Sequence, residues 1–155
     1  MKLTALVIGL GNTLRGDDAL GPIAAERVRR VVDPQAVRVI DRCAVTPDLA
    51  LELSETGRAV FLDASTEGPA DRVHVRRLHE TNAAEALGHQ LSLGTLLGLT
   101  RRLYGEVPEA FAITFRGRTF ELSDRCLTPE AESAVAAMVA ETLRVIESEK
   151  VIADA

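Results

Sequence analysis

Residues 3–18 have the sequence Leu3-Thr4-Ala5-Leu6-Val7-Ile8-Gly9-Leu10-Gly11-Asn12-Thr13-Leu14-Arg15-Gly16-Asp17-Asp18. The apolar run over 3–8 predicts a buried strand, and the glycine-rich segment after it predicts a turn. Beyond the turn, apolar residues recur at helical spacing, at Leu20, Ile23, Ala24, Ala25, Val28 and Val31. A strand–turn–helix unit is typical of α/β folds, in which such a turn lies at the carboxyl edge of the sheet, where sites are built.

The glycine turn shares part of the dinucleotide-binding fingerprint, but two requirements of that fingerprint fail. The third glycine would stand at position 14, which is Leu14. A helix N-terminus attracts anions, and Asp17 and Asp18 already bring negative charge to it. Only Asp41, near the position of the ribose-binding acid, favours a nucleotide. The residues therefore disfavour a nucleotide, and one of the two adjacent acids is expected to be an N-cap.

The rest of the chain alternates predicted strands and helices. Strands are predicted over 36–40, 59–62, 72–78 and 110–115, and helices over 47–55, 91–104 and from 129 onward. Thr46 and Thr128 are predicted to cap helices that have proline at their first position. The polar–apolar alternation of 72–78 predicts an edge strand, antiparallel because only a loop separates it from the strand before it.

This pattern predicts an α/β fold in a single domain over residues 1–155. We expect three layers, with helices on both faces of a mixed, mostly parallel twisted sheet of about five strands, similar to phosphorylase- and hydrolase-like folds.

Composition narrows the classes of function. A chain of 155 residues can bury a core, and its net charge of −5 argues against a nucleic-acid-binding protein. No apolar run is long enough to cross a bilayer, and no cleavable signal opens the chain, so we expect a cytoplasmic protein. Cys43 and Cys126 form no paired metal motif and are predicted to be reduced, structural thiols.

Three acids follow three consecutive predicted strands: Asp18, Asp41 and Asp63. If these strands are parallel, all three acids project onto one rim of the sheet. His89, which directly precedes a helix, is the candidate imidazole, whereas His74 and His79 are predicted to face solvent. Two carboxylates and one imidazole would form an open three-ligand site for a borderline metal such as nickel or zinc. Such a site polarises a carbonyl or activates water.

Several segments, in order along nearly the whole chain, resemble the motifs of the hydrogenase maturation endopeptidases. Residues 9–22 are similar to the opening motif of that family, and Leu62-Asp63-Ala64 is similar to its second motif. His89, ahead of a leucine-rich helix, resembles the third motif. Residues 120–123 and 127–129 are similar to the family's lead-in to its last helix.

The resemblance implies an endopeptidase that removes the C-terminal extension of a nickel-iron hydrogenase large-subunit precursor after nickel insertion. Asp18, Asp63 and His89 would be its metal-contacting and catalytic residues. The nickel would arrive with the precursor, which would be the partner, with no nucleic acid or membrane involved. Ala19 and Cys43 depart from the family, which commonly has glycine there, but neither belongs to the trio.

The sequence is also compatible with other functions. The peptidyl-tRNA hydrolases share the Gly-Leu-Gly-Asn opening, but residues 13–22 contain no histidine of the kind those enzymes carry next. A cysteine peptidase built on Cys43 and His89 is a further alternative, as is a chaperone or sensor that binds a nickel centre without cutting. For a general base, Asp17 and Asp41 are the nearest spare carboxylates.

Overall fold

One five-stranded sheet forms the centre of the computed structural model, which describes residues 3–82, 91–122 and 127–148. Its strands are β1 (Leu3–Leu10), β2 (Val37–Arg42), β3 (Thr56–Ser65), β4 (His74–Leu78) and β5 (Glu109–Arg116). They lie in the order β2-β1-β3-β5-β4. All pairings are parallel except that of β4 with β5. The predicted mixed, mostly parallel sheet is confirmed.

Helices cover both faces of the sheet, which confirms the three-layer prediction. A 3-10 helix (Gly16–Ala19) precedes α1 (Leu20–Arg29), and the others are α2 (Leu49–Ser54), α3 (Leu93–Tyr104) and α4 (Pro129–Glu147). One apolar cluster joins α1 and α4 to one face, and a second joins α2 and α3 to the other. Within 3–82, 91–122 and 127–148, no helix has the length and apolar character needed to span a membrane.

The two central strands show why the sheet needs both helical layers. In β1, Ala5 and Val7 pack into the α1–α4 cluster, while Leu6 and Ile8 pack into the α2–α3 cluster. All four side chains are at most 1% exposed. A strand that is apolar on both faces is stable only when both faces are covered.

The edge strand lies where alternation predicted an edge, but its partner differs from the expected one. β4 is antiparallel, and it pairs with β5 rather than with β3, the strand that precedes it in sequence. The residues of β5 from Ala110 to Ile113 are buried, whereas His74 and Arg76 of β4 are exposed. β5 therefore takes the covered position beside β3, and β4 takes the outer edge.

Helix caps agree with prediction only in part. The Thr128 side chain caps α4 by accepting a hydrogen bond from the Ala131 N–H. The predicted Thr46 cap is wrong: α2 begins at Leu49, and the Thr46 hydroxyl bonds to Asp48 instead. The expected N-cap at Asp17 or Asp18 is also wrong, because the 3-10 helix and α1 begin without a side-chain cap.

Candidate functional site

A cleft of about 370 Å³ lies at the carboxyl edge of β1 and β3, which we call the acidic cleft. Two of the three predicted ligands, Asp18 and Asp63, line it. The rest of its wall comes from the ends of β1 and β2 and the start of α3: Leu10, Gly11, Cys43, Ala44, Val45, Leu91, Ser92 and Leu93. The parallel arrangement predicted from the sequence thus places this pair at one rim.

The glycine turn positions Asp18. Gly11 has φ +141°, and a Cβ atom there would lie 1.9 Å from the carbonyl oxygen of Asp18, so only glycine allows this close approach. The Asn12 N–H donates to Asp18 Oδ2 at 2.7 Å. The carboxylate of Asp18 is therefore held in place by an amide of the glycine-rich loop.

The carboxyl group of Asp63 has a raised pKa. Burial, and after it the nearby charge of Asp18, raises the pKa of Asp63 from 3.8 to about 7, while a hydrogen bond from the Ala64 backbone opposes this. Two carboxylates close together in a partly desolvated place repel one another. A cation between them removes that repulsion, so the pair is suited to a metal ion.

We predict that Asp63→Asn stabilises the protein at high pH only. The folded-state pKa lies above the unfolded value, so the contribution of Asp63 to stability is full below pH 4 and is lost as the pH rises through 7. Allowing for partial exposure, the free energy of unfolding should rise by about 1–3 kcal/mol at pH 8 and be unchanged near pH 4. Urea unfolding with a chelator present measures both, and the exposed Asp71→Asn is the control. An equal gain at both pH values would contradict the prediction.

Asp41 lies at the predicted rim with the other two acids, but on the other face of the sheet. Asp41 is in register with Gly9 of β1. The Oδ1 atom of Asp41 lies on the face of the sheet that α1 covers, and its Oδ2 atom is 3.6 Å from Arg29 Nη2 of α1. Leu62 is the partner of Gly9 on the other side, so Asp63 is one residue further along its strand. Since side chains alternate between faces, that one residue places Asp41 and Asp63 on opposite faces.

Asp17 is fully buried and is neither a cap nor a free base. Its Oδ2 accepts from the Arg118 N–H at 2.8 Å, and its Oδ1 accepts from the Thr128 N–H at 2.8 Å. The Thr128 hydroxyl donates to the same carboxylate. Asp17 thus fastens the loop that carries Asp18 to the segments beside α4. Neither Asp17 nor Asp41, the two spare carboxylates, lines the acidic cleft.

The two departures from the family pattern have different outcomes. Ala19 is buried with φ −72°, so the small side chain fits without strain, as predicted. Cys43 is free and exposed in the acidic cleft, so the prediction of a packed structural thiol is wrong for it. Its position directly after β2, at the carboxyl edge of the sheet, could have predicted this exposure. Cys126 lies outside the described residues.

The histidines divide as follows. His74 and His79 are exposed, which confirms their prediction. His89 lies outside the described residues, although Leu91, two residues later in the sequence, lines the acidic cleft. Over the described ranges, no three side chains from Asp, Glu, His and Cys come together to hold a metal ion. Ser92, which caps α3 and lines the cleft, was not singled out by sequence reasoning.

Comparison with known proteins adds solved structures of the same fold. No protein-family model matches the chain, and no curated protein sequence matches it significantly. The hydrogenase 2 maturation peptidase of a Thaumarchaeota archaeon is 27% identical, with a TM-score of 0.67 over 92% of this chain and 97% of that one.

Two further structures share the fold at lower identity. The hydrogenase maturating endopeptidase HybD of Escherichia coli is 22% identical, with a TM-score of 0.71 over 94% of this chain and 92% of its own. The NiFe hydrogenase maturation protease HycI of Thermococcus kodakarensis is 20% identical, with a TM-score of 0.72 over 95% and 94%.

Proposed function

The chain belongs to the hydrogenase maturation endopeptidase family, and from that premise we propose that it is itself a processing endopeptidase. Its substrate is the large-subunit precursor of a nickel-iron hydrogenase, from which it removes the C-terminal extension after nickel insertion. The agreement of fold over more than nine-tenths of the chain, together with the motif resemblance in the sequence, supports this proposal. The cytoplasmic location stays a prediction.

The pairing of Asp18 with Asp63 in the acidic cleft is the observation that carries the proposal. Burial, and after it the charge of Asp18, raises the pKa of Asp63 to about 7. A divalent cation bound between the two carboxylates would offset their repulsion, and carboxylate oxygens are ligands of divalent cations. In the proposal, His89 completes the set with an imidazole nitrogen.

The proposed mechanism treats nickel as part of the substrate. Two carboxylates and one imidazole leave coordination positions open for ligands that the precursor brings. Binding of the metal by Asp18 and Asp63 checks that insertion is complete and anchors the tail at the rim of the sheet. The scissile peptide would then lie beside the acidic cleft, where the precursor's nickel would supply Lewis-acid polarisation of the carbonyl. Water would add to that carbonyl and the C–N bond would break, which leaves a carboxylate on the mature subunit and a free amine on the released peptide. Holding both reactants in place supplies much of the rate gain.

The test is to mix the purified protein with nickel-loaded and nickel-free large-subunit precursor and to weigh the subunit by mass spectrometry. We expect loss of a C-terminal peptide from the loaded form only. Cleavage of both forms would contradict recognition through nickel. A stable complex without a released peptide would instead favour the non-cleaving nickel-centre chaperone or sensor.

Cys43→Ala should leave processing intact, within about twofold of the native rate. The thiol is exposed at the rim, so its removal creates no cavity, and the proposed chemistry does not use it. The measurement is the same mass-spectrometric time course. A folded but inactive variant, with near-native circular dichroism, would revive the cysteine peptidase built on Cys43 and His89.

A further inference from the structure

A second cleft, of about 540 Å³, opens at the same edge of the sheet beyond the end of β5. Its lining is Ala70, Arg116, Gly117, Arg118 and Glu130. Arg116 is the last residue of β5 and is exposed. We call this the arginine cleft. It contrasts with the neighbouring acidic cleft and with the net charge of −5 of the whole chain.

The main chain beneath the arginine cleft is held on both sides. The Gly117 N–H donates to the Ser65 carbonyl at 2.9 Å, and the Arg118 N–H donates to Asp17 Oδ2 at 2.8 Å. A Cβ atom on Gly117 would lie 2.7 Å from the Phe120 ring and 3.1 Å from the Asp17 Cβ, so the packing there is close. The two arginines are therefore presented from a rigid support, which lowers the entropy cost of binding a ligand.

The two arginines of the cleft, Arg116 and Arg118, differ in whether an acid neutralises them. Arg118 Nη1 lies 2.7 Å from Glu130 Oε1, so that acid is already paired. Arg116 has no hydrogen-bond or ion-pair partner among the residues that the structure describes. A guanidinium offers a planar fork of donors that matches a carboxylate. Within 3–82, 91–122 and 127–148, Arg116 is thus the guanidinium of this cleft that is available for bidentate binding of a carboxylate.

The arginine cleft is close enough to the acidic cleft to be reached by the same peptide. Asp63 is in register with Thr114, and Arg116 follows two residues later. Residues two apart in a strand are about 6.6 Å apart and neighbouring strands about 4.8 Å, so the Cα atoms of Arg116 and Asp63 are about 8 Å apart. Two or three residues of extended chain span that distance.

We propose that the arginine cleft is an anion subsite in which Arg116 binds a carboxylate of the peptide segment that the enzyme removes. This rests on the proposed function for the identity of the peptide. The carboxylate is either a side chain of that segment or its C-terminus, and both present the same group to the guanidinium.

Binding is tested first without any turnover. The amide of Gly117 in ¹⁵N-labelled protein is followed by NMR during titration with succinate or with succinamide at constant ionic strength. We expect a saturable shift at millimolar succinate and none with succinamide. Arg116→Gln should abolish the shift, and Arg102→Gln, an exposed arginine in the last turn of α3, should not. A shift that survives in Arg116→Gln, or no saturable shift in the native protein, would overturn the subsite.

Processing kinetics then connect the subsite with the peptide. On nickel-loaded precursor, Arg116→Gln should raise KM about tenfold with kcat within twofold, and Arg116→Lys should recover part of the loss. Amidating the precursor's C-terminus reproduces the loss if the terminal carboxylate binds, whereas acid-to-amide changes in the segment do so if a side chain binds.

Equal KM values for Arg116→Gln and Arg102→Gln would overturn the role in processing. A native protein that cleaves no precursor would contradict the proposed function, while the succinate titration would still decide the subsite.

Discussion

Asp18→Asn is expected to abolish processing of the nickel-loaded precursor, with a fall in rate of at least about 100-fold, while the protein stays folded. The amide keeps an oxygen that accepts the Asn12 N–H, which now lies 2.7 Å from Asp18 Oδ2, so the turn survives. What is lost is the negative charge that would bind the metal in the proposed function. Because the charge of Asp18 also raises the pKa of Asp63, the variant should be no less stable than the native protein at neutral pH.

Asp41→Asn is the matched control. Asp41 lies at the same edge of the sheet, but its carboxylate faces Arg29 of α1 on the other face. An exposed ion pair of this kind contributes about 0–1 kcal/mol, so stability and processing should change little. Rates from mass spectrometry and circular dichroism spectra of both variants decide the matter. Retained processing in Asp18→Asn would exclude an essential charged ligand at this position, and equal losses in both would exclude the assignment of faces.

Gly21→Ala is expected to give the largest loss of stability, about 3–5 kcal/mol, because overpacking here meets only backbone. A Cβ atom on Gly21 would lie 2.2 Å from the carbonyl oxygen of Leu10 and 2.3 Å from that of Leu62. These oxygens belong to the two central strands and cannot move aside as a side chain can. α1 would have to lift from the sheet, and the adjoining 3-10 helix that carries Asp18 would move with it.

The measurement is urea unfolding followed by circular dichroism, with Gly57→Ala as the control. Gly57 lies in β3, and the nearest atom to a Cβ there is the Thr4 carbonyl oxygen at 3.7 Å, which is ordinary contact. The added methyl should therefore cost about 1 kcal/mol or less. A loss in Gly21→Ala no larger than in Gly57→Ala would show that α1 does not approach the strands as closely as described.

Local sequence patterns predicted most of the strands and helices, and they predicted that Asp18 and Asp63 lie at one rim. The apolar run at 59–62 predicted a central strand, and Ala59, Val60, Phe61 and Leu62 are all fully buried. The pattern could not identify the partner of β4, since pairing depends on which of two strands better tolerates burial on both faces. Likewise, Asp17 resembles a helix cap in sequence, yet its partners Arg118 and Thr128 lie about a hundred residues away.

The sequence by itself determined the succession of strands and helices, because the spacing of apolar side chains follows directly from the geometry of each element. It also determined that carboxylates follow several strands at the carboxyl edge. Only the tertiary structure decided which of them meet: Asp63 shares the acidic cleft with Asp18, while Asp41 turns to Arg29. The physical reason is register, since a difference of one residue between neighbouring strands reverses the face on which a side chain lies.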